Sequence, residues 1–164
     1  MLAVTFRVAA AAYAIRCDQV VAVIPQVEVR PTARGAAWLK GVFVYRGELI
    51  PVVDLCQLIG SYPCPPRLSS RIALVRCTSP DCGARTFGLL AEYMTEARRL
   101  DAQPIAAPPV AAVPYFGDVL LEGSEPLQFL NVDAILPSAG PLLAEHSTSP
   151  KVMAGEKDRE PTQP

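Results

Sequence analysis

Short apolar runs alternate with polar, Gly and Pro residues along most of the chain, and this pattern predicts strands. At the N-terminus, Leu2, Val4, Phe6 and Val8 alternate with small or polar residues, which is the period of two of a half-buried strand. Comparable runs continue as far as residue 130. The predicted strands are 2–8, 13–17, 20–29, 41–45, 48–53, 71–77, 85–91, 94–100, 116–122 and 127–130.

Helical signals are few. Asp54 is placed to cap a short helix, with Gln57 three residues later and Gly60 at its end. A second short helix is predicted over 132–136, stopping at Pro137. Seventeen prolines in 164 residues also argue against a helical protein. We therefore expect a mainly all-β fold of barrel or sandwich type.

Two stretches are predicted to lie outside the core. Residues 103–114 hold four prolines among alanines and should run extended over the surface. Residues 138–164 lose all periodicity and are rich in Pro, Ser, Thr, Glu and Lys, which is typical of a disordered tail. The expected organisation is one domain over residues 1–137, built of two β-subdomains that share a core, followed by the tail.

Composition and charge narrow the function classes. About half of the residues, 51%, are hydrophobic, so a substantial core is possible at this length. The formal net charge of −1 gives no electrostatic reason to expect nucleic acid or an anionic membrane as partner. No apolar run is long enough for a transmembrane helix, and the alternating N-terminus favours a strand over a secretory signal.

The cysteines are candidates for chemistry, but their pattern favours inert thiols. They are Cys17, Cys56, Cys64, Cys77 and Cys82, an odd number with no disulfide spacing, so reduced thiols of a cytoplasmic protein are expected. A metal site from the last three would lack the paired ligands that structural zinc prefers.

Other catalytic motifs are missing or poorly placed. The single histidine, His146, falls in the predicted tail, where it is a poor base for a cysteine nucleophile. Glycine-rich phosphate loops and the G-x-S-x-G elbow are absent from the sequence. The carboxylates of Glu92 and Glu96 are interpreted as solvent-facing strand positions. We expect no catalytic residue, no metal and no cofactor.

The remaining candidate is the hairpin over residues 41–55, which turns at Arg46-Gly47. Its strands are apolar on both faces, which predicts that they are central in a sheet. The tight turn forces the charged Arg46 outward. By its chemistry alone, Arg46 is as well explained by a solvated turn residue as by a partner contact.

This hairpin resembles the hallmark of the CheW family, the adaptors of bacterial chemosensory arrays. Residues 42–55 read VFVYRGELIPVVDL, which is similar to the family's aliphatic strand, Arg-Gly turn and Ile-Pro-Val-aliphatic-Asp-Leu sequence. Weaker similarities lie at residues 13–24, 87–92 and 117–136, so the resemblance covers about residues 1–137. It implies a fold of two interlocked five-stranded SH3-like barrels with one or two short helices.

The resemblance also implies a function and its sites. CheW-like proteins are non-enzymatic scaffolds that couple a methyl-accepting chemoreceptor tip to the regulatory domain of a CheA-type histidine kinase, in arrays on the cytoplasmic side of the inner membrane. Carried over from the family, the kinase-interface residues are Gly41, Arg46 and Gly47. The receptor-interface residues are Val20, Ala22 and Val23.

The chain departs from the family pattern in several places. The family often has an acidic residue where Ala22 stands, an asparagine where Val44 stands, and a polar first hairpin at 9–12. These departures concern the receptor contact more than the kinase contact and indicate a cognate receptor of its own. The Tyr-Arg-Gly form is similar to WspB/WspD-type adaptors of surface-sensing systems with cyclic-di-GMP output. The alternatives are a β-barrel module that binds a peptide or carbohydrate without a kinase, and a cysteine-dependent enzyme.

Overall fold

In the part of the chain that the structure describes, eleven strands form two sheets, together with two short α-helices and one 3-10 turn at Cys17–Gln19. The structure is a computed structural model, and it describes residues 1–33, 35–80, 84–94, 97–101, 103–105 and 113–138. The strands are β1 (Leu2–Val8), β2 (Ala11–Arg16), β3 (Val20–Pro25), β4 (Leu39–Tyr45), β5 (Glu48–Asp54), β6 (Arg71–Arg76), β7 (Thr86–Ala91), β8 (Ala97–Arg99), β9 (Gln103–Ile105), β10 (Phe116–Glu122) and β11 (Glu125–Leu130). The helices are α1 (Leu55–Gly60) and α2 (Val132–Ser138).

The first sheet has six strands in the order β8-β1-β2-β11-β10-β9. The β1–β2 and β10–β11 hairpins are antiparallel, and β11 joins them by running parallel to β2. The N- and C-terminal parts of the described chain therefore lie side by side in one sheet. This pairing is between residues more than a hundred positions apart, so it cannot be read from local sequence.

The second sheet has five strands in the order β3-β6-β7-β5-β4. The β4–β5 hairpin is antiparallel, and β5 runs parallel to β7 in the interior of the sheet. Strand β3 lies at one edge and β4 at the other, so the two segments that carry the predicted contact residues are both edge strands. The segment after β3 returns to β4, where Arg30 forms an isolated antiparallel bridge with Val42.

One large hydrophobic cluster takes its residues from both sheets and from both helices. Phe6 and Ile15 of the first sheet pack in it together with Phe87 and Leu89 of the second, and all four side chains are fully buried. Burial of each such side chain contributes roughly 1.5–3 kcal/mol, so this shared core is what joins the two sheets. The mainly β fold with two short helices confirms the predicted fold class.

Helix α1 begins where the sequence predicted. Asp54 caps it, because its Oδ1 accepts the N–H of Gln57 at 3.1 Å. Its Oδ2 accepts the N–H of Cys64 at 2.9 Å, so the same carboxylate also fixes the loop that follows the helix. The helix ends at Gly60, and Ser61 takes the left-handed conformation with φ of 60°.

Several predictions about single elements were wrong. Strand β4 is an edge strand rather than a central one, so the exposed Val44 is solvent-facing instead of buried. The apolar pattern misled because an edge strand with an exposed apolar face has the same sequence pattern as a buried strand. Helix α2 continues through Pro137 to Ser138 instead of stopping before the proline. Residues 103–105 are extended as predicted, and in addition they pair with β10 as the edge strand β9. Residues 139–164 of the predicted tail lie outside the described residues.

Two glycines of the hairpin are constrained differently, and this generates a test. Gly41 has φ of 143°, and a Cβ there would overlap the carbonyl of Arg30. Gly47 has φ of 81°, and a Cβ there would meet nothing within 4 Å. We expect Gly47→Ala to cost about 1–2 kcal/mol from backbone strain alone, and Gly41→Ala to cost more because the Arg30–Val42 bridge must also break.

Urea denaturation of the two purified variants measures this difference. The expected order of stability is wild type, then Gly47→Ala, then Gly41→Ala. Equal losses in the two variants would show that the close approach of Arg30 does not constrain Gly41.

Candidate partner-binding surface

The tip of the β4–β5 hairpin presents Arg46 to solvent in a fixed conformation. Tyr45 pairs with Glu48, and the two turn residues have φ of 49° and 81°, as a type I′ turn requires of both central residues. The Arg46 guanidinium carbon lies 5.3 Å from the centre of the Tyr45 ring, a cation–π contact. Tyr45 in turn meets Phe43 edge to face at 6.4 Å. Arg46 is therefore exposed and also held in place.

One face of the same hairpin is apolar and open to solvent. Val44 and Leu49 are cross-strand partners and are 68% and 50% exposed. Their neighbours on this face, Val42 and Pro51, are half-buried. An exposed apolar surface of this kind is typical of a site of protein association. Arg46 lies over Tyr45, which strand alternation places on the opposite face of the hairpin.

The edge of β4 beside this face is partly covered. Arg30 N donates to Val42 O at 2.8 Å, and Val42 N donates to Arg30 O at 2.9 Å. Among the described residues, this is the one isolated bridge made to β4, and it does not extend to Val44. A groove of about 1120 Å³ lies here, between the 24–33 segment and β4.

The predicted receptor residues lie on β3, the opposite edge strand. Val20, Ala22 and Val23 are half-buried and pack against the main core cluster. The pairing with β6 shifts between Val20 and Ala22, and the residue at the shift, Val21, is 49% exposed. Sequence reasoning missed Val21, because a bulge breaks the alternation that assigns residues to faces.

The structure does not bring the two groups of predicted residues into one site. Arg46 and Gly47 are exposed at the hairpin tip. Gly41 is buried in β4, where its backbone lies close to the carbonyl group of Arg30. The receptor group lies at the far edge of the same sheet. A chain built this way can meet two partners at two surfaces that share one rigid sheet.

A buried polar cluster lies where β5 passes into α1. The Sγ atoms of Cys56 and Cys64 and a carboxylate oxygen of Asp54 all lie within 4.8 Å of one another. The hydrogen bond between the two thiols lowers the pKa of Cys56 and raises that of Cys64, and burial raises the pKa of Cys64 further. The Sγ of Cys64 also lies 3.7 Å from the Oγ of Ser70.

A second polar network adjoins the cluster and joins the two sheets. The hydroxyl of Tyr62 donates to Oε2 of Glu92 at 2.7 Å and accepts the N–H of Ala9 at 2.6 Å. Glu92 Oε1 lies 3.4 Å from the Arg67 guanidinium. Glu92 is only 7% exposed, so its interpretation as a solvent-facing position was wrong. The strand pattern could not show that a loop folds over it.

The cysteines differ from the expectation in one respect. Cys77 is disulfide-bonded, whereas Cys17, Cys56 and Cys64 are free thiols. The prediction of reduced thiols was therefore wrong for Cys77, because spacing along the chain does not show which cysteines can form a disulfide. Cys82, Glu96 and His146 lie outside the described residues.

Known proteins are similar to this chain over most of its length. Residues 2–140 match the model of the CheW-like domain family. No curated protein matches the chain. Among solved structures, the scaffolding protein TtCheW from Thermoanaerobacter tengcongensis is similar in fold, with a TM-score of 0.67 and 19% identity over 80% of this chain and 84% of that one. In addition, no helix among the described residues is long and apolar enough to cross a membrane.

The Tyr62 network predicts that loss of the Tyr62 hydroxyl lowers stability more than loss of the Tyr93 hydroxyl does. Tyr62→Phe removes a hydrogen bond from the buried Glu92 carboxylate and should cost about 1–3 kcal/mol of stability. Tyr93→Phe removes only an exposed contact with Arg67 at 3.3 Å and should change stability by less than about 0.5 kcal/mol. Thermal and urea unfolding of both variants measure this. Equal effects would contradict a special role for the buried network.

Proposed function

This chain belongs to the CheW-like domain family, and we propose that it is a non-enzymatic adaptor that couples a methyl-accepting chemoreceptor to a CheA-type histidine kinase. The observation that carries the kinase contact is the β4–β5 hairpin, where Arg46 is exposed at the turn and one face of the two strands is apolar and open to solvent. Arginine and aromatic residues dominate the energetic centres of protein interfaces. The guanidinium fork of Arg46 suits a carboxylate or backbone carbonyls of the kinase regulatory domain.

The rigidity of the hairpin supports this role. Arg46 is held by Tyr45, and the turn is fixed by two residues with positive φ, so little side-chain and backbone freedom is lost when a partner binds. Val44 and Leu49 provide exposed apolar area close to the turn, on the other face of the hairpin. A stable contact buries about 800 Å² on each partner. The hairpin supplies the centre of this area, and the residues around it supply the rest.

The receptor contact is proposed for the opposite edge strand. Val20, Ala22 and Val23 flank the exposed Val21, and their apolar character suits a receptor tip of apolar surface. The adaptor then works in the cytoplasm, at receptor arrays on the inner membrane. The Tyr-Arg-Gly turn supports a surface-sensing array of the WspB/WspD type with cyclic-di-GMP output.

A second candidate is a peptide-binding module without a kinase. The observation in its favour is the edge of β4 beyond Val42, where an extended peptide could add as a further strand along the neighbouring groove. The two functions differ in the partner they require, so binding to a kinase regulatory domain separates them.

The kinase contact can be tested with Arg46→Glu. Reversal of the charge at the centre of the interface should weaken binding to the regulatory domain of the cognate kinase by about 2 kcal/mol or more, roughly thirtyfold in Kd. The matched control is Arg99→Glu, an exposed arginine on β8 of the other sheet. Isothermal titration calorimetry measures both. Wild-type affinity in a folded Arg46→Glu protein would overturn the assignment.

The receptor contact can be tested with Val21→Asp. An unpaired carboxylate at the centre of an apolar contact should weaken binding to receptor tips by more than about tenfold. Because Val21 is exposed at a bulge, the fold should not change. Co-sedimentation with receptor-containing membranes measures the loss, and Arg46→Glu should bind these membranes normally. Loss of kinase binding rather than receptor binding in Val21→Asp would reverse the assignment of the two surfaces.

A further inference from the structure

Asp54, Cys56 and Cys64 form a compact set of potential metal ligands away from both proposed surfaces. The three come from the end of β5, from α1 and from the loop after it, and all are buried. Their ligand atoms lie within 4.8 Å of one another. Two sulfurs and a carboxylate oxygen are a donor set that zinc accepts in proteins.

We propose that Asp54, Cys56 and Cys64 bind a thiophilic divalent cation of the Zn²⁺ type. In a tetrahedral site with metal–sulfur bonds of about 2.3 Å and metal–oxygen bonds of about 2.0 Å, sulfurs lie roughly 3.8 Å apart and sulfur and oxygen roughly 3.5 Å apart. The observed separations, which are all within 4.8 Å, need to close by about 1.0 Å at most between the sulfurs and by about 1.3 Å at most between sulfur and oxygen. We expect rotation of the two thiol side chains to provide this closure.

Glu92 offers a carboxylate that can complete the site. Its Oε2 lies 4.0 Å from the Sγ of Cys56, on the side where Tyr62 donates to it. The N–H groups of Gln57 and Cys64 already orient the Asp54 carboxylate, as outer hydrogen bonds orient metal ligands in general. The arrangement therefore has both a ligand set and the groups that hold it.

The burial of the ligands determines the kind of site. With Cys56 at 0% exposure and Cys64 at 3%, no coordination position opens to solvent, so the site is structural rather than catalytic. The cation enters as the chain folds and then ties the 61–70 loop to the end of β5. Binding releases the protons of the two thiols, and the two positive charges of the cation then offset the two thiolates.

The test uses the full-length protein, refolded under a chemical reductant with Co²⁺ as the probe. Wild type should bind one Co²⁺ per chain and show a thiolate-to-cobalt charge-transfer band, which Zn²⁺ then displaces. Cys56→Ser and Cys64→Ser should each lose the band or weaken binding more than a hundredfold. Tyr62→Phe, which removes an outer hydrogen bond, should weaken binding about 10–100-fold. Cys17→Ser, a free cysteine outside the cluster, should leave it unchanged.

Three results would overturn the proposal. They are no thiolate band in folded wild type, an unchanged band in folded Cys56→Ser or Cys64→Ser, and a Cys56–Cys64 disulfide as the stable form under the reductant, seen by mass spectrometry. Circular dichroism establishes that each variant is folded. Kinase and receptor binding are not read in this experiment, so its outcome is independent of the proposed adaptor role.

Discussion

The burial of β5 between β4 and β7 is the constraint on which the arrangement of this molecule depends. Ile50 and Val52 point into the core and are almost completely buried, which fixes the register of the strand against both neighbours. A slip by one residue would turn these side chains to solvent and Leu49 and Pro51 inward, at a cost of several kcal/mol. The position of the hairpin tip, and of the exposed face beside it, follows from this register.

Hydrogen bonds of polar groups near the end of β5 also stabilise the arrangement. Both carboxylate oxygens of Asp54 accept hydrogen bonds from backbone N–H groups. The Glu92 carboxylate accepts a hydrogen bond from Tyr62 and forms an ion pair with Arg67. A buried carboxylate without such partners would be strongly destabilising. Because Tyr62 also binds the backbone of Ala9, these contacts hold the first hairpin of one sheet against the end of the other. The shared core joins the sheets, and this network fixes how they meet.

The proposed adaptor role needs two contact surfaces that keep their relative position, and the two edges of the second sheet fit this need. The edge strands β3 and β4 are joined through three inner strands of one sheet. Each carries exposed apolar side chains, which would be a liability for an edge strand unless another molecule covers them. Because β6, β7 and β5 connect β3 to β4 by hydrogen bonds, a partner bound at one of these edges would be held in a defined position relative to a partner bound at the other.

The sequence by itself determined the mainly β class, the bounds of most strands, the Asp54 cap and the Arg46-Gly47 turn, because each of these depends on neighbours within a few residues. Only the tertiary structure decided that β4 is an edge strand, that Val21 is exposed at a bulge, and that Glu92 is buried. The same run of residues that is apolar on both faces occurs in a central strand and in an edge strand with an exposed apolar face, so the pattern cannot distinguish them. The proximity of Asp54, Cys56 and Cys64 likewise depends on how the loop after α1 folds back, and the spacing of these residues along the chain does not predict that conformation.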